Sequence, residues 1–287
     1  MIRNCEALTH LTGSCSTYTI TRQGASLAID CGTWTPAALG ETTDTRCERL
    51  LLTHFHRDQC TAAAQWMHAG VDVVIPFTEK RFFEEADILR ASYDTYDNYT
   101  AWYPGFSGLQ DITGIYARDY DTLSWRDISI EVLPLPGHTF GQSGYLFELD
   151  GTRYLACGDL LSAPGKIHEY HRLQWAYMSF QGHVNLLESL QSVRELAPDV
   201  ILPGHGEPFA FSPAAIDELT AALAELFEMF HGRPYQPYRA VFRQLSDHVF
   251  EVSNSSATTY IVRDDEGRGL FIDCGYTSGA PISANPH

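Results

Sequence analysis

Histidine and aspartate residues follow four short apolar runs of the chain, and both residue types are common ligands of metal ions. The runs end before the pair His54 and His56, before His138, before Asp159 and before His205. Short apolar runs bounded by turn residues are typical of buried strands, so each candidate ligand stands where a strand leaves its sheet. The sequence therefore predicts that one rim of the fold carries a metal centre.

The first of these turns contains the densest group of candidate ligands. His54 and His56 lie two residues apart in an extended segment, so their imidazoles point to the same side. Asp58 and Gln59 follow directly. Neutral imidazole suits zinc, copper, iron or nickel, and a carboxylate can bridge two ions or complete a second position. A closed structural zinc site often uses thiolates, whereas cysteine stands only beside these turns, so an open catalytic site is favoured.

The elements that position these residues are predicted to alternate between strands and helices. Strands are predicted at 18–21, 26–29, 71–75, 128–133, 144–149 and 153–157, with Asp150 and Gly151 forming a hairpin turn. Helices are predicted at 61–69, 184–196 and 213–230, the last of them ended by Gly232. Two blocks of strands separated by helices predict two sheets with helices on their outer faces.

The C-terminal end repeats a pattern found near the beginning of the chain. Residues 259–275 match residues 17–32 as strand, turn, strand and Asp-Cys-Gly, with one extra residue in the second turn. This order and spacing favour a true internal repeat. We therefore interpret residues 1–232 as one domain with an aromatic-rich insertion at 78–125. Residues 233–287 are interpreted as a linker plus a partial repeat of the N-terminal β-hairpin, the start of a second, incomplete unit.

Composition limits the class of partner. The net charge of −17, from 36 acidic and 19 basic residues, disfavours binding to nucleic acid. The seven cysteines are odd in number, form no C-x-x-C pair and accompany no recognisable signal peptide, which predicts free thiols in the cytoplasm. Because no run approaches about 18 consecutive apolar residues, a membrane span is not expected.

Taken in order, the ligand turns resemble the motifs of the metallo-β-lactamase superfamily. These are T-H-F-H-R-D-Q at 53–59, G-H-T at 137–139, G-D at 158–159 and P-G-H-G at 203–206. The resemblance extends over residues 9–231. It implies an α+β fold, an αββα sandwich of two mixed β-sheets flanked by helices, with the metal site at the edge between the sheets.

The resemblance also implies a role for each candidate ligand. The implied groups are His54, His56 and His138 for a first metal ion, Asp159 as a bridge, and Asp58 with His205 for a second ion. Any one of these residues alone could be a surface or capping residue, and it is their joint order that favours ligation. Zinc, as one or two ions, is the expected cofactor, and iron or manganese are alternatives.

Gln59 departs from the family pattern, which usually has histidine at this position. An amide oxygen is a weaker ligand than imidazole, so the second metal site is predicted to be weaker than the first. Gln59 is kept as a candidate ligand, with a simple hydrogen bond to the loop as the alternative. Beside it, Cys60 is interpreted as a small buried hydrophobic residue rather than a ligand.

These features predict a metal-dependent hydrolase that uses a metal-bound hydroxide on a small ester, thioester or lactone. Asp58 is the predicted catalytic residue, which orients or deprotonates the nucleophile. The pocket could be lined by His168, His171 and His183 and by the aromatic residues of 93–106.

Two alternatives remain open. One is a mononuclear iron oxygenase acting on persulfides, as in another branch of the superfamily, with two histidines and an aspartate as ligands. The other is a non-catalytic metal-binding or pairing module of a larger assembly. The strands at 259–263 and 269–273 would leave edges and apolar side chains exposed if they stayed unpaired. They are expected to pair either with an edge strand of the first domain or with the same segment of a second molecule, which would give a homodimer through the C-terminal segment.

Overall fold

A computed structural model of the chain describes residues 7–85, 111–168, 180–236, 241–253 and 258–273. Within these ranges the strands form three sheets, two of six strands and one of four. Most of the long helices and strands lie where the hydrophobic patterns and turn residues of the sequence predict them. No helix in this part of the chain has the length and apolar character needed to cross a membrane.

The first sheet has the strand order β1-β2-β3-β4-β5-β6. Its strands are β1 (Leu8–Thr12), β2 (Ser16–Arg22), β3 (Ala25–Ile29), β4 (Arg46–Leu51), β5 (Asp72–Pro76) and β6 (Ile115–Ala117). The first three strands pair antiparallel, and β3 to β6 pair parallel. The carboxyl ends of parallel strands meet at one edge of a sheet, so residues that follow β3, β4 and β5 become neighbours.

Helices connect the parallel strands of this sheet. They are α1 (Pro36–Thr43), α2 (Arg57–Cys60) and α3 (Ala63–His68), followed after β5 by a 3₁₀ turn (Phe77–Glu79) and α4 (Lys80–Glu84). The helix predicted at 61–69 is therefore shorter than expected, and a separate turn of helix, α2, lies in the ligand loop. Thr35 begins α1 because its hydroxyl accepts the Ala38 N–H.

The second sheet has the order β12-β11-β10-β9-β8-β7. Its strands are β7 (Thr122–Trp125), β8 (Ile128–Pro134), β9 (Ser143–Leu149), β10 (Thr152–Gly158), β11 (Val200–Pro203) and β12 (Phe209–Ala210). Asp150 and Gly151, both with positive φ, form the predicted hairpin turn between β9 and β10. The parallel pair β10 and β11 is connected through α5 (Phe180–Leu196), and α6 (Pro213–His231) follows β12.

The main core lies between the two large sheets. Tyr18 and Ile20 of the first sheet pack with Ile130 and Tyr145 of the second, all nearly inaccessible to solvent. Two further hydrophobic clusters lie on the outer faces of the sheets. One packs α5 and α6 against the second sheet, and the other packs α1 and α3 against the first. Each large apolar side chain buried in this way contributes about 1.5–3 kcal/mol. The predicted αββα sandwich of two mixed sheets flanked by helices is confirmed.

The range predicted as an aromatic-rich insertion, 78–125, contributes to both sheets. β6 pairs with β5 in the first sheet, and β7 pairs with β8 in the second. The most aromatic part of that range, 86–110, lies outside the described residues. The strands within 111–125 are thus edge strands of the sandwich itself.

The third sheet is an antiparallel meander formed by the C-terminal part of the chain. It consists of β13 (Val241–Ser246), β14 (Val249–Ser253), β15 (Thr259–Arg263) and β16 (Gly269–Ile272), in that order. Sequence patterns predicted β15 and β16 but not β13 and β14. The sheet carries large exposed apolar side chains, including those of Phe242, Leu270 and Phe271.

Candidate metal centre

Four loops meet at the edge between the two large sheets. The loop after β4 carries His54 and His56, and the loop after β8 carries His138. Asp159 directly follows β10, and His205 comes two residues after the end of β11. Strands β10 and β11 are parallel neighbours whose last paired residues are Gly158 and Pro203, so the turns that carry Asp159 and His205 leave the sheet side by side. The topology thus places ligand types from both sheets at one rim.

Three histidines form the inner part of this centre. The ligand nitrogens of His54, His56 and His138 all lie within 4.8 Å of one another. His56 Nδ1 is 2.8 Å from His138 Nε2, and the three rings meet edge to face with centroids 4.6–4.8 Å apart. His54 and His138 are almost completely buried. Three imidazoles held this closely can bind one metal ion.

A hydrogen-bonded chain runs from Asp30 through Thr53 to His54 and sets the tautomer of His54 when Asp30 is ionised. Asp30, buried after β3, accepts from the Thr53 backbone N–H at 2.8 Å and lies 2.8 Å from the Thr53 hydroxyl. Thr53 Oγ1 is 3.0 Å from His54 Nδ1. When Asp30 is ionised, the hydroxyl donates to it and accepts from His54 Nδ1–H, which leaves Nε2 as a free lone pair. Burial raises the pKa of Asp30 to about 8, while the two Thr53 hydrogen bonds act in the opposite direction.

Asp159 connects the three histidines to His205. Its carboxylate is almost fully buried, with Oδ2 3.3 Å from His138 Nε2 and 3.7 Å from His54 Nε2. Oδ1 lies 2.8 Å from His205 Nδ1. On the far side of the His205 ring, Nε2 is 3.3 Å from Asp58 Oδ2. This order places Asp159 between the two groups of candidate ligands.

The charges at the centre match those of a divalent cation site. Burial lowers the pKa of His54 to about 3, with His56 acting in the same direction, and burial also lowers the pKa of His56 and of His138. Burial by itself would raise the pKa of Asp159, but His138, His205 and His54 outweigh it and hold that pKa well below its usual range. Neutral imidazoles beside an ionised carboxylate form a suitable donor set.

His205 differs from the other histidines. Burial would lower its pKa, but hydrogen bonds to Asp159 and Asp58 outweigh this and raise the pKa to about 10. The same interaction with His205 keeps the pKa of Asp58 below its usual value despite burial. A metal ion held by Asp58, Asp159 and His205 would therefore have to displace the imidazolium proton, which weakens binding at neutral pH.

Gln59 lies between these two groups and is fully buried. Its Nε2 is 3.3 Å from both oxygens of Asp159 and 3.4 Å from His205 Nδ1. Its Oε1 is buried without a hydrogen-bond partner among the described residues. In this orientation the amide donates to Asp159. Rotation of the amide by 180° would bring the oxygen towards a metal ion at the second position, as the ligand role predicted for Gln59 requires.

The buried Nε2 atom of His54 shows whether the residues present fit a metal ion. His54 Nε2 is inaccessible to solvent and has no hydrogen-bond partner in the described part of the chain. A buried polar atom left unpaired costs about 1–3 kcal/mol, so such atoms are rare unless a ligand completes them. The nitrogen faces Asp159 and the other two histidines. The residues present therefore fit a bound metal ion.

All seven predicted ligands lie at this rim. The other residues considered as pocket or ligand candidates differ in their distance from it. His168 lies against the centre, its ring stacked on His205 with centroids 3.9 Å apart, and its ligand atom lies within 4.8 Å of those of Asp159 and His205. His183 instead lies 2.9 Å from His231, between α5 and α6. Cys60 is a buried thiol near the Phe55 carbonyl, and burial raises its pKa. The predicted pocket residues His171 and 93–106 lie outside the described residues.

Sequence reasoning did not identify Glu79 as part of this rim. Glu79 is buried after β5, and its carboxylate contacts both the His54 loop and the His138 loop. A signal was present, because Glu79 follows an apolar strand in the same way as the candidate ligands do. The same position after a buried strand is therefore shared by Glu79 and the candidate ligands.

Comparison with known proteins identifies related sequences. A family model described as the metallo-beta-lactamase superfamily matches residues 11–205, which confirms the resemblance drawn from the ligand turns. A hydroxyacylglutathione hydrolase from Aeromonas salmonicida (strain A449) is 26% identical over 122 residues, 42% of this chain and 36% of that protein. The match thus spans about a third of the length of this curated relative.

Similar folds are found among solved structures. A metallo-beta-lactamase family protein from Thermus thermophilus has a TM-score of 0.58 at 20% identity, covering 76% of this chain and 79% of that one. A HARLDQ motif mutant of a metallo-beta-lactamase from Cronobacter sakazakii has a TM-score of 0.55 at 15% identity, with coverage of 79% and 94%. At these identities the likeness shows the fold alone.

Proposed function

Because the chain belongs to the metallo-β-lactamase superfamily and is a hydrolase at the level of that superfamily, we propose that it hydrolyses a small ester, thioester or lactone. The observation that carries this proposal is the group of neutral imidazoles of His54, His56 and His138, the first and last of them buried, beside ionised Asp159. A hydroxyacylglutathione is a thioester, so the name of the curated relative favours thioesters within this class.

Zinc is the proposed cofactor at the inner position. Three imidazoles and a carboxylate are a common zinc donor set, and His54, His56, His138 and Asp159 supply it. Iron or manganese could bind the same donors. The outer position, with Asp58, Gln59 and His205, is proposed to bind a second ion more weakly, because Gln59 replaces an imidazole and His205 holds a proton.

The residues at the rim have different roles in the proposed hydrolysis. Bound zinc supplies a Lewis acid that lowers the pKa of water towards neutrality and polarises a carbonyl oxygen. Asp58 is ionised and partly exposed, with His205 fixing one carboxylate oxygen at 3.3 Å, so its other oxygen can accept a proton from the attacking water. Asp159 and the three imidazoles hold the donor set in place.

Turnover on a panel of small esters, thioesters and lactones tests this proposal. Zinc-loaded protein is expected to hydrolyse at least one class, and protein stripped by a chelator is expected to lose that activity and regain it with zinc. Metal analysis of the protein as purified separates the alternatives. Iron together with oxygen consumption on a persulfide would favour the oxygenase, and bound metal without turnover on any substrate would favour a non-catalytic module.

The environment and partners of the protein are part of the same proposal. All five cysteines in the described part of the chain are free and buried, which supports a cytoplasmic location. The net charge of −17 supports a small-molecule substrate rather than a nucleic acid. No membrane association is proposed.

We also propose that residues 233–287 are a linker followed by a partial repeat of the N-terminal strands. The cross-strand pairs of β15 and β16, Tyr260 with Ile272 and Val262 with Leu270, match those of β2 and β3, Tyr18 with Ile29 and Ile20 with Leu27. The next residue is in both cases an aspartate with positive φ, 53° for Asp30 and 56° for Asp273. A shared register and a shared backbone irregularity support a common origin of the two segments.

The apolar side chains of the repeat are much more exposed to solvent than those of the N-terminal strands. Tyr18, Ile20, Leu27 and Ile29 are at most 2% exposed, because the second large sheet packs on them. The corresponding Leu270 and Ile272 are 63% and 46% exposed. Apolar surface of this kind favours association, so we propose a homodimer in which two C-terminal sheets pack face to face.

A charge placed on this face is expected to separate the dimer. Leu270→Asp would bury an unpaired carboxylate in the proposed interface and should weaken dimerisation by more than about tenfold. Sedimentation velocity of the full chain measures the mass, and zinc content should stay unchanged. Glu266→Gln, in the exposed turn of the same sheet, is the control and should remain dimeric. A monomeric wild type, or a dimer that tolerates Leu270→Asp, contradicts the proposed interface.

A further inference from the structure

Glu79 places one buried carboxylate between the two loops that carry the inner histidines. Its side chain is only 1% exposed, at the end of the 3₁₀ turn after β5. Oε2 accepts the Phe55 N–H at 2.8 Å, between His54 and His56. Oε1 accepts the Gly141 N–H at 3.1 Å and also the Thr139 hydroxyl, both in the loop of His138. The carboxylate is therefore hydrogen-bonded to both loops at once.

These two loops belong to different sheets. The His54 loop follows β4 of the first sheet, and the His138 loop follows β8 of the second, so their separation depends on how the sheets meet. Partners that orient metal ligands through hydrogen bonds typically change metal affinity when they are removed. We propose that Glu79 is a positioning residue that fixes the distance between His138 and the pair His54 and His56. This role presupposes the metal site of the proposed hydrolase.

The packing around Glu79 is built for close approach of the His138 loop. A Cβ added at Gly141 would lie 2.5 Å from Glu79 Cγ and 2.9 Å from Thr78 Cβ, so only glycine lets this loop reach the carboxylate. On the other side, the Phe55 ring stacks on Phe82 with centroids 4.4 Å apart, which holds the Phe55 N–H towards Glu79. Both contacts direct a backbone N–H, that of Gly141 or of Phe55, towards the Glu79 carboxylate.

Other contacts join the same loops without Glu79. The Ser143 N–H donates to the Thr53 carbonyl at 2.9 Å, and the Tyr145 hydroxyl donates to the Leu52 carbonyl at 2.7 Å. These bonds hold the two sheets together just behind the metal ligands. Loss of Glu79 is therefore expected to leave the fold intact and to loosen the loop tips, where the imidazoles lie.

Zinc affinity of the full chain tests this role directly. We expect Glu79→Gln to weaken zinc binding about 10- to 100-fold in competition with a chromogenic chelator. Thr139→Val removes only one donor and should give a smaller loss in the same direction. Ile130→Val, in the core between the sheets, is the matched control: it should lower the thermal stability of the metal-free protein while leaving zinc affinity unchanged.

The outcomes separate this role from the proposed function. Wild-type affinity in both Glu79→Gln and Thr139→Val would overturn the positioning role and leave the hydrolase proposal in place. A wild type that takes up no zinc would overturn both. If Glu79→Gln does not fold, Gly141→Ala replaces it, since its new methyl group displaces the Glu79 side chain. Unchanged affinity in Gly141→Ala would then count against the positioning role, and a loss would support it.

Discussion

Replacing His138 with alanine is expected to remove zinc from the inner position and to lower kcat/KM by at least about a thousandfold. His138 is the only one of the three inner histidines that comes from the second sheet, and its Nε2 lies 2.8 Å from His56 Nδ1 and 3.3 Å from Asp159 Oδ2. Without it, His54 and His56 retain two imidazoles on one loop. Two neutral donors and a shared carboxylate bind zinc far more weakly than a complete set.

The zinc content after dialysis and kcat/KM on the best substrate of the panel measure this effect. His68→Ala is the control, because His68 is an exposed histidine at the end of α3. It should keep both the zinc and the activity. The thermal stability of the metal-free proteins is measured in parallel, because loss of a buried imidazole beside Asp159 and His56 is also expected to lower stability by about 1–3 kcal/mol. Full zinc content and activity in His138→Ala would refute the assignment of the inner site.

The ligand turns could be predicted from the sequence because each follows a buried strand of ordinary length. β4, β8 and β10 each end in a short apolar run followed by turn residues, and the parallel pairing of β10 with β11 brings two strand ends together. Their order along the chain then restricted the fold. The long helices α5 and α6 were predicted for the same reason, since their apolar positions repeat over several turns.

Short strands were missed because local sequence does not determine them. β12 has two residues and β6 has three, so neither shows an alternation of apolar and polar residues. β1 alternates weakly, and it is a strand because β2 offers it an edge to pair with. In such segments tertiary pairing decides the conformation and propensity has little weight.

The roles of Glu79 and Gln59 depend on partners that are distant in the chain. Glu79 lies 60 residues before Thr139, and Gln59 lies 100 residues before Asp159. No local pattern marks either contact. The sequence showed that Gln59 departs from histidine, but only the structure shows its amide beside the Asp159 carboxylate. Side-chain orientation at the rim therefore could not be predicted, although the set of residues could.

Gly204→Ala is expected to disturb the centre although it changes no ligand. Gly204 precedes His205, and its backbone N–H donates to the Gly158 carbonyl at 2.7 Å. A Cβ at this position would lie 2.4 Å from Asp159 Oδ1 and 3.0 Å from Gln59 Nε2. Contacts this short cannot be accommodated, so the Asp159 carboxylate must turn away from His205 and Gln59. Because Asp159 joins the inner and outer groups, both positions should lose affinity for metal.

We expect kcat/KM of Gly204→Ala to fall by about a hundredfold, the effect of misplacing a reactive group by about 1 Å. Overpacking should also cost about 1–3 kcal/mol of stability, so the thermal unfolding of the metal-free protein is measured in parallel. Gly269→Ala is the matched control, since a Cβ there finds its nearest described neighbour, Ile261 Cγ2, at 3.6 Å. Metal stoichiometry separates the two effects: a variant that is less stable but binds metal normally would show that Asp159 can move without loss of the site. A loss of metal in Gly204→Ala but not in Gly269→Ala would instead show that the position of the Asp159 carboxylate controls both the inner and the outer metal position. That position would then depend on the absence of a side chain at residue 204.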